Sequence, residues 1–274
     1  MNPMIRKELR QRMRERRGWL LPSLYLLVLG AVVIFAYFVS TSESNRNGVQ
    51  GATVGVVVFL TLSYAQLALL LLMAPIFSAG SITIEKEQKT LAGLLTSLLT
   101  PIQIWWGKFI SSLLFVLLLL VTSIPVLSMA FAFGGIGPWE MFTATLTTVI
   151  ILASLSAVGL YCSSAFRRSV HATAVSYATV VAISVVTAII FFVRLALYES
   201  AHTRSGAASG GSWYAIPMNI RAPMYLNPFF FLTASFAPPA ALYPAWTTCA
   251  IVFIALGGIA AVLSLRNLRR SGDV

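Results

Sequence analysis

Six long apolar stretches, separated by short polar segments, divide the chain. They cover about residues 18–40, 52–78, 105–133, 139–165, 171–198 and 245–266. A helix needs about 20 apolar residues to cross the hydrocarbon core of a bilayer, so each stretch is long enough for one crossing. The pattern predicts an all-α polytopic membrane protein with six transmembrane helices. Because the stretches occupy most of the chain, we expect residues 1–274 to form a single transmembrane domain.

The polar segment between the second and third stretches has the periodicity of an amphipathic helix. Its apolar residues at helical spacing are Ile84, Leu91, Leu94, Leu95 and Leu98. Its clustered charged residues are Glu85, Lys86, Glu87 and Lys89. Such a helix can rest its apolar stripe on the membrane domain and present its charged face to a soluble partner. The segment therefore predicts a cytoplasmic helix over residues 82–99 that acts as a docking surface.

The third stretch begins with the signals of a new helix. Thr100 can cap the helix, Pro101 suits its first position, and Gln103 completes a capping box. We therefore expect a rigid elbow at Thr100–Pro101 that separates the cytoplasmic helix from the third span.

Two groups of residues predict contacts with the membrane surface. Residues 1–17 repeat apolar positions every four residues and are rich in arginine, which favours an interfacial amphipathic helix over a cleaved signal. Tryptophans at the start of the third span are typical of an interfacial aromatic belt, and Lys108 is expected to extend to the lipid headgroups. The predicted anchors are Arg6, Arg10, Arg14, Arg17, Trp105 and Trp106.

Composition and charge agree with a lipid environment. Apolar residues make up 58% of the chain and charged residues 10%, whereas soluble domains carry about 25% charged residues. The net charge of +11 is unevenly distributed. With a cytoplasmic N-terminus, only Arg46, Arg194, Arg204 and Arg221 among the 19 Lys and Arg residues fall on the outer side. The positive-inside rule then predicts that both termini are cytoplasmic, and no nucleic-acid partner is needed to explain the charge.

Two polar segments are assigned to the outer side. Residues 41–51 are rich in turn formers and predict a short loop. Residues 200–244 begin as a flexible linker and become aromatic and proline-rich, which indicates an outer loop or re-entrant segment. This second segment could line an outer gate or form an inert cap. The candidate gate residues are Arg194, Asn227 and Pro228, and Arg194 could also extend outward or pair with Glu199.

The sequence contains no motif for nucleotide binding or catalysis. It has no phosphate-binding loop, no H-E-x-x-H and no Cys/His cluster, so we expect no catalytic residue, bound cofactor or metal. Cys162 and Cys249 are interpreted as separate buried residues. Acidic residues are nearly absent from the apolar stretches, which disfavours an ion-coupled carrier. A permease driven by another chain fits these observations.

Three segments resemble those of one known family. They are the basic N-terminus, the loop between spans two and three, and the turn Leu226-Asn227-Pro228. In the loop, the family tends to show an acidic residue, Thr-Leu, a Leu pair, Pro and Gly-Lys. The matching residues are Glu85, Thr90-Leu91, Leu94-Leu95, Pro101 and Gly107-Lys108. The chain thus resembles the membrane subunits of type-2 ABC exporters. It has Gln88-Lys89 where the family often has glycine, so we expect a more continuous helix there.

The resemblance implies a permease in the prokaryotic plasma (inner) membrane, paired with two copies of a separate cytoplasmic ATPase. It also implies a second permease, either a copy of this chain or a homologue, and places ATP and Mg²⁺ on the ATPase. The coupling residues would be Glu85, Lys86, Glu87, Lys89, Thr90, Leu91 and Leu94. The elbow residues that pass motion to the spans would be Thr100, Pro101, Gly107 and Lys108. The alternative is a non-transporting scaffold that tethers a soluble protein through the same helix.

Overall fold

The computed structural model describes residues 17–47, 51–89, 100–132, 134, 136–204, 217–236 and 239–272. Within these residues every regular element is helical and no strand occurs. The α-helices are α1 (Arg17–Asn47), α2 (Gly51–Glu87), α3 (Pro101–Ala132), α4 (Pro138–Ala165), α5 (Ser169–Val181), α6 (Thr187–Arg204), α7 (Met218–Arg221), α8 (Pro228–Ala234) and α9 (Pro239–Gly272). A π-helical turn, Ala182–Val186, joins α5 to α6, and a 3₁₀ turn, Ala222–Leu226, follows α7.

Six helical segments within the described residues are long and apolar enough to cross a membrane. They are Leu20–Thr41, Val54–Glu87, Ile102–Ala130, Pro138–Ala165, Ser169–Ser200 and Ala245–Arg269, numbered here as spans one to six. Span five consists of α5, the π-turn and most of α6. The predicted all-helical fold with six spans is confirmed. The assignment of residues 1–274 to one domain stays a prediction.

Several helices extend beyond the apolar stretches that predicted them. The helix α1 continues to Asn47, although residues 41–51 were expected to form a loop. The Thr41 hydroxyl donates to the carbonyls of Tyr37 and Phe38, so this polar residue is compatible with a helix. The helix α9 begins at Pro239, six residues before the apolar stretch, and proline suits the first turn of a helix.

The segment after span two differs from its prediction in two ways. The helix α2 runs without a break to Glu87, so residues 82–87 are its last turns and do not begin a separate helix. Gln88 and Lys89 then form a turn in which Lys89 has a φ of 56°, so the expected continuous helix through Gln88-Lys89 is wrong. A left-handed residue ends an α-helix because the chain leaves the helical path there.

Two groups of predicted residues lie outside the described part of the chain. The first is residues 90–99, including Thr90, Leu91 and Leu94. The second is residues 1–16, including Arg6, Arg10 and Arg14. Arg17 is the first residue of α1, but its side chain is not described.

Span four lies at the centre of the bundle and packs against spans two, five and six. A Cβ on Gly159 would lie 1.9 Å from Ser78 Oγ, so α4 and α2 cross closely there. A Cβ on Gly257 would lie 3.1 Å from the Cα of Ser154, so α9 also approaches α4 closely. Small residues at such crossings allow the close packing that is typical of transmembrane helices.

Candidate functional site

The end of α2 directs three consecutive charged side chains toward three different helices. Successive residues of an α-helix point about 100° apart around the axis. Glu85 therefore reaches α3, Lys86 reaches the end of α4, and Glu87 reaches the start of α5. We refer to Glu85, Lys86 and Glu87 together as the clasp.

Glu85 forms a buried ion pair with Lys108. Lys108 Nζ lies 2.7 Å from Glu85 Oε1 and donates to the Ser81 carbonyl at 2.7 Å. The Lys108 side chain is only 1% exposed, so the expectation that it extends to the headgroups is wrong. A buried ammonium is tolerated where a carboxylate and a carbonyl replace its water, and the end of α2 supplies both.

Lys86 caps the end of α4. Its Nζ donates to the carbonyls of Ser163 at 3.4 Å and Phe166 at 3.1 Å, and it also contacts the Ser164 carbonyl. The last four carbonyls of a helix have no partner within the helix, and the helix dipole makes this end negative. A cation is therefore favoured at this position.

Glu87 caps the start of α5. Its carboxylate accepts from the Ser169 amide at 2.7 Å and from the Ser169 hydroxyl at 2.9 Å. The first amides of a helix lack intrahelical acceptors, and the dipole favours a negative charge there. Because residues 166–168 alone separate α4 from α5, Lys86 and Glu87 together hold this turn against the end of α2.

Ser163 adds a further contact between α4 and α2. Its Oγ accepts from the backbone amides of Ile82 at 2.8 Å and Thr83 at 3.0 Å. Sequence reasoning gave no functional role to Ser81, Ser163, Ser164 or Ser169. Nothing in the spacing of these serines shows which of them would meet α2, because that depends on how the helices pack.

The elbow has the predicted capping box. The Thr100 amide donates to Gln103 Oε1 at 3.1 Å, and the Gln103 amide donates to Thr100 Oγ1 at 3.4 Å. Pro101 is the first residue of α3. Gly107 is buried beside Lys108 on the same helix. The start of α3 is therefore fixed locally as well as by the Lys108–Glu85 pair.

The two tryptophans near the elbow have different surroundings. Trp105 is 3% exposed, packs with Ile82, Leu160 and Leu268, and stacks on Phe109 at 5.0 Å, so its assignment to an interfacial belt is wrong. Its face of α3 is covered by α2, α4 and α9. Trp106 is exposed on the adjacent face, and its role as an interfacial anchor stays a prediction.

The exposed groups near the clasp are mainly basic. Gln88, Lys89, Arg167 and Arg168 are all exposed. Lys89 remains a predicted contact for a soluble partner. In contrast, Glu85 and Lys86 are partly buried and turned toward α3 and α4.

The candidate gate residues lie in span five, which contains Arg194, and in the segment before span six, which contains Asn227 and Pro228. Asn227 is buried, and its Nδ2 donates to the Ser184 carbonyl at 2.7 Å in span five. Pro228 is buried as the first residue of α8. Arg194 Nη1 donates to the Asn219 carbonyl at 2.7 Å. These contacts join residues 217–228 to span five, whereas a role in gating stays a prediction.

The described residues contain no group of three His, Cys, Asp or Glu side chains that could hold a metal ion. Cys162 and Cys249 are both buried free thiols.

Comparison with known proteins identifies the family. No curated protein matches the chain significantly. A family model described as ABC-2 family transporter protein matches residues 3–265, nearly the whole chain. Members of this permease family are membrane subunits and are not themselves ATPases. The chain therefore belongs to the ABC-2 transporter permease family and is a multi-pass membrane component of an ABC transporter.

Proposed function

We propose that this chain is the permease subunit of an ATP-driven exporter, forming the translocation path and driven by a separate cytoplasmic ATPase. Membership of the ABC-2 family supports the transport role. The observation that carries the coupling proposal is the clasp, since it ties the end of α2 to α3, α4 and α5.

The clasp lies where the loop between spans two and three begins, and Lys108, the partner of Glu85, lies beyond the end of that loop. Glu85 precedes the loop, Lys108 follows it, and their side chains are 2.7 Å apart. A force applied to residues 88–99 would therefore reach α2 and α3 together. Lys86 and Glu87 would extend the same displacement to the turn between α4 and α5. In this proposal the clasp transmits motion, while Lys89, Thr90, Leu91 and Leu94 contact the ATPase.

The proposed complex follows the family pattern. It has two ATPase subunits, which bind ATP and Mg²⁺, and a second permease that is either a copy of this chain or a homologue. It lies in a prokaryotic plasma membrane with both permease termini in the cytoplasm. ATP-driven closure of the ATPase pair would press on the loop, and the spans would carry substrate outward.

The first test is the identity of the bound partner. Purification from the native host in mild detergent should recover a soluble chain with a phosphate-binding loop. ATP hydrolysis should require that chain and be absent from the permease alone. Hydrolysis by the isolated permease would contradict the proposal. A bound ATPase whose hydrolysis is the same with and without the permease in vesicles would instead favour the scaffold.

The second test replaces the Glu85–Lys108 pair in the reconstituted complex. The double variant Glu85→Met with Lys108→Met removes both charges without leaving one of them buried alone. We expect the ATPase to remain bound, but its hydrolysis should no longer depend on the permease. Arg167→Met is the matched control, because Arg167 is exposed in the turn beyond α4. Hydrolysis that stays permease-dependent in the double variant would contradict a coupling role for the pair.

A further inference from the structure

Span five contains a π-helical turn whose carbonyls bond to side chains. Such turns are rare and occur mostly as single turns within α-helices, frequently at functional sites. In the turn Ala182–Val186, the Ser184 carbonyl accepts from Asn227 Nδ2 at 2.7 Å. The neighbouring Ile183 carbonyl accepts from Thr187 Oγ1. Asn227 Nδ2 also donates to Thr187 Oγ1 at 3.0 Å, so three hydrogen bonds connect the Asn227 amide, the Thr187 hydroxyl and the two carbonyls.

Asn227 uses both ends of its amide. Its Oδ1 accepts from the amides of Phe229 at 2.9 Å and Phe230 at 3.2 Å, which caps α8. Its Nδ2 holds the π-turn, and the residue is only 3% exposed. An asparagine amide supplies two donors and an acceptor oxygen from one side chain. A serine could still cap α8, but it is too short to reach span five as well.

A second contact joins the same two elements. Arg194, in α6, donates to the Asn219 carbonyl at 2.7 Å. The segment 217–227 is therefore attached to span five at the π-turn by Asn227 and further along α6 by Arg194. If α6 turned about its axis, this segment would move with it.

We propose that Asn227 is a positioning residue that holds the π-turn of span five and so sets the rotation of α6. When the amide donor of Asn227 is removed, the Ile183 and Ser184 carbonyls can accept ordinary α-helical hydrogen bonds from the amides of Thr187 and Ala188. When the π-turn converts to α geometry, each later residue of α6 takes the direction that the next residue has now. This shift corresponds to a rotation of α6 by about 100° about its axis. That rotation would reorient α6 and the attached segment 217–227. The inference rests on the proposed function and deepens it, because it gives the outer part of the translocation path a defined movement.

The rotation has a measurable signature at two adjacent phenylalanines. Phe191 is 4% exposed and Phe192 is 62% exposed. After a rotation by one position, Phe191 would occupy the direction that Phe192 has now, and Phe192 would occupy the direction of Val193, which is 54% exposed. Both rings would then be exposed, whereas local loosening without rotation would leave Phe191 less exposed than Phe192.

The experiment uses Asn227→Ser, which retains an oxygen to cap α8 and removes the amide donor. The full chain, reconstituted in lipid nanodiscs, carries a fluorinated phenylalanine at position 191 or 192. Relaxation of the fluorine signal by dissolved oxygen reports exposure to lipid. We expect Phe192 to relax faster than Phe191 in the wild-type chain, and we expect the rate of Phe191 to rise to about that of Phe192 in Asn227→Ser. Amide hydrogen exchange at Thr187 and Ala188 should slow, because these amides gain ordinary α-helical acceptors, whereas local loosening would make it faster.

Two further variants control for other effects. Asn219→Ser makes the same chemical change at an exposed position that meets Arg194 through its backbone carbonyl, and it should match the wild type. Thr187→Val removes the bond to the Ile183 carbonyl but keeps the α8 cap and the Asn227 bond to Ser184, so it should raise the relaxation rate of Phe191 less than Asn227→Ser does. A relaxation rate of Phe191 that is unchanged in both Asn227→Ser and Thr187→Val would overturn the inference. These measurements need no ATPase, so their failure is distinguishable from failure of the proposed function.

Discussion

A single glycine, Gly159, lies at a close crossing of two helices. Gly159 faces Ser78 across the contact of α4 with α2, and a Cβ there would lie 2.8 Å from Ser78 Cβ. We expect Gly159→Ala to force the helices apart and lower the free energy of unfolding by about 1–3 kcal/mol. Denaturant or thermal unfolding in detergent would measure this loss.

Gly258 provides the matched control for this prediction. A Cβ at Gly258 would meet nothing within 4 Å, so Gly258→Ala should be neutral or slightly stabilising, because alanine favours helix over glycine. Adding Ser78→Gly to Gly159→Ala should recover part of the lost stability. Equal stability of Gly159→Ala and the wild type would contradict the close crossing.

The ion pair between Lys108 and Glu85 predicts different stabilities for single and double substitutions. Lys108→Met leaves the Glu85 carboxylate without its ammonium partner, and we expect a loss of about 3–5 kcal/mol. The double variant Glu85→Met with Lys108→Met should be more stable than the single one, since no lone charge is buried. Unfolding midpoints of the two variants in the same detergent decide this. A single variant that is as stable as the double variant would show that the pair does not act as a unit.

The presence of the spanning helices was predictable from sequence. The residues at which the helices end, and the faces that other helices cover, were not. An apolar run of about 20 residues has few alternatives to a spanning helix, so all six spans could be found. Polar residues at helix ends were misleading, because Thr41 and Glu87 are compatible with a helix as long as their groups find partners. Trp105 and Lys108 were assigned to the membrane surface because a single helix does not reveal which of its faces other helices will cover.

At the scale of an element, the cap on α4 can be tested separately. Lys86→Met removes the cation that binds the carbonyls at the end of α4, and each buried carbonyl left without a partner costs about 1–3 kcal/mol. We expect Lys86→Met to lower the thermal midpoint clearly. Lys89→Met is the control, since Lys89 is exposed and surface substitutions usually change stability by less than about 0.5 kcal/mol. Equal midpoints for the two variants would contradict the capping role.

Two groups of polar contacts in the molecule differ in kind. The clasp joins charged side chains to Lys108 and to the termini of α4 and α5, and it lies near the exposed Lys89, Arg167 and Arg168. In contrast, Asn227 and Arg194 form hydrogen bonds with backbone carbonyls, Asn227 at the middle of span five. The first arrangement holds four spans together around the loop that we assign to the ATPase. The second joins one span to the segment before span six, so movement of one span could be passed along it.

This asymmetry leads to a prediction about orientation. Basic residues are retained on the cytoplasmic side because they are rarely carried across during insertion, so the end that holds Lys89 and Arg168 should face the cytoplasm. Cys162 and Cys249 are buried, which leaves a low background for cysteine labelling. A membrane-impermeant maleimide should label Asn219→Cys in intact cells, because Asn219 is exposed near the opposite end of span five. It should label Lys89→Cys only after the membrane is permeabilised. The reverse pattern would place the loop between spans two and three outside, where no cytoplasmic ATPase could reach it, and the proposed coupling would then be excluded.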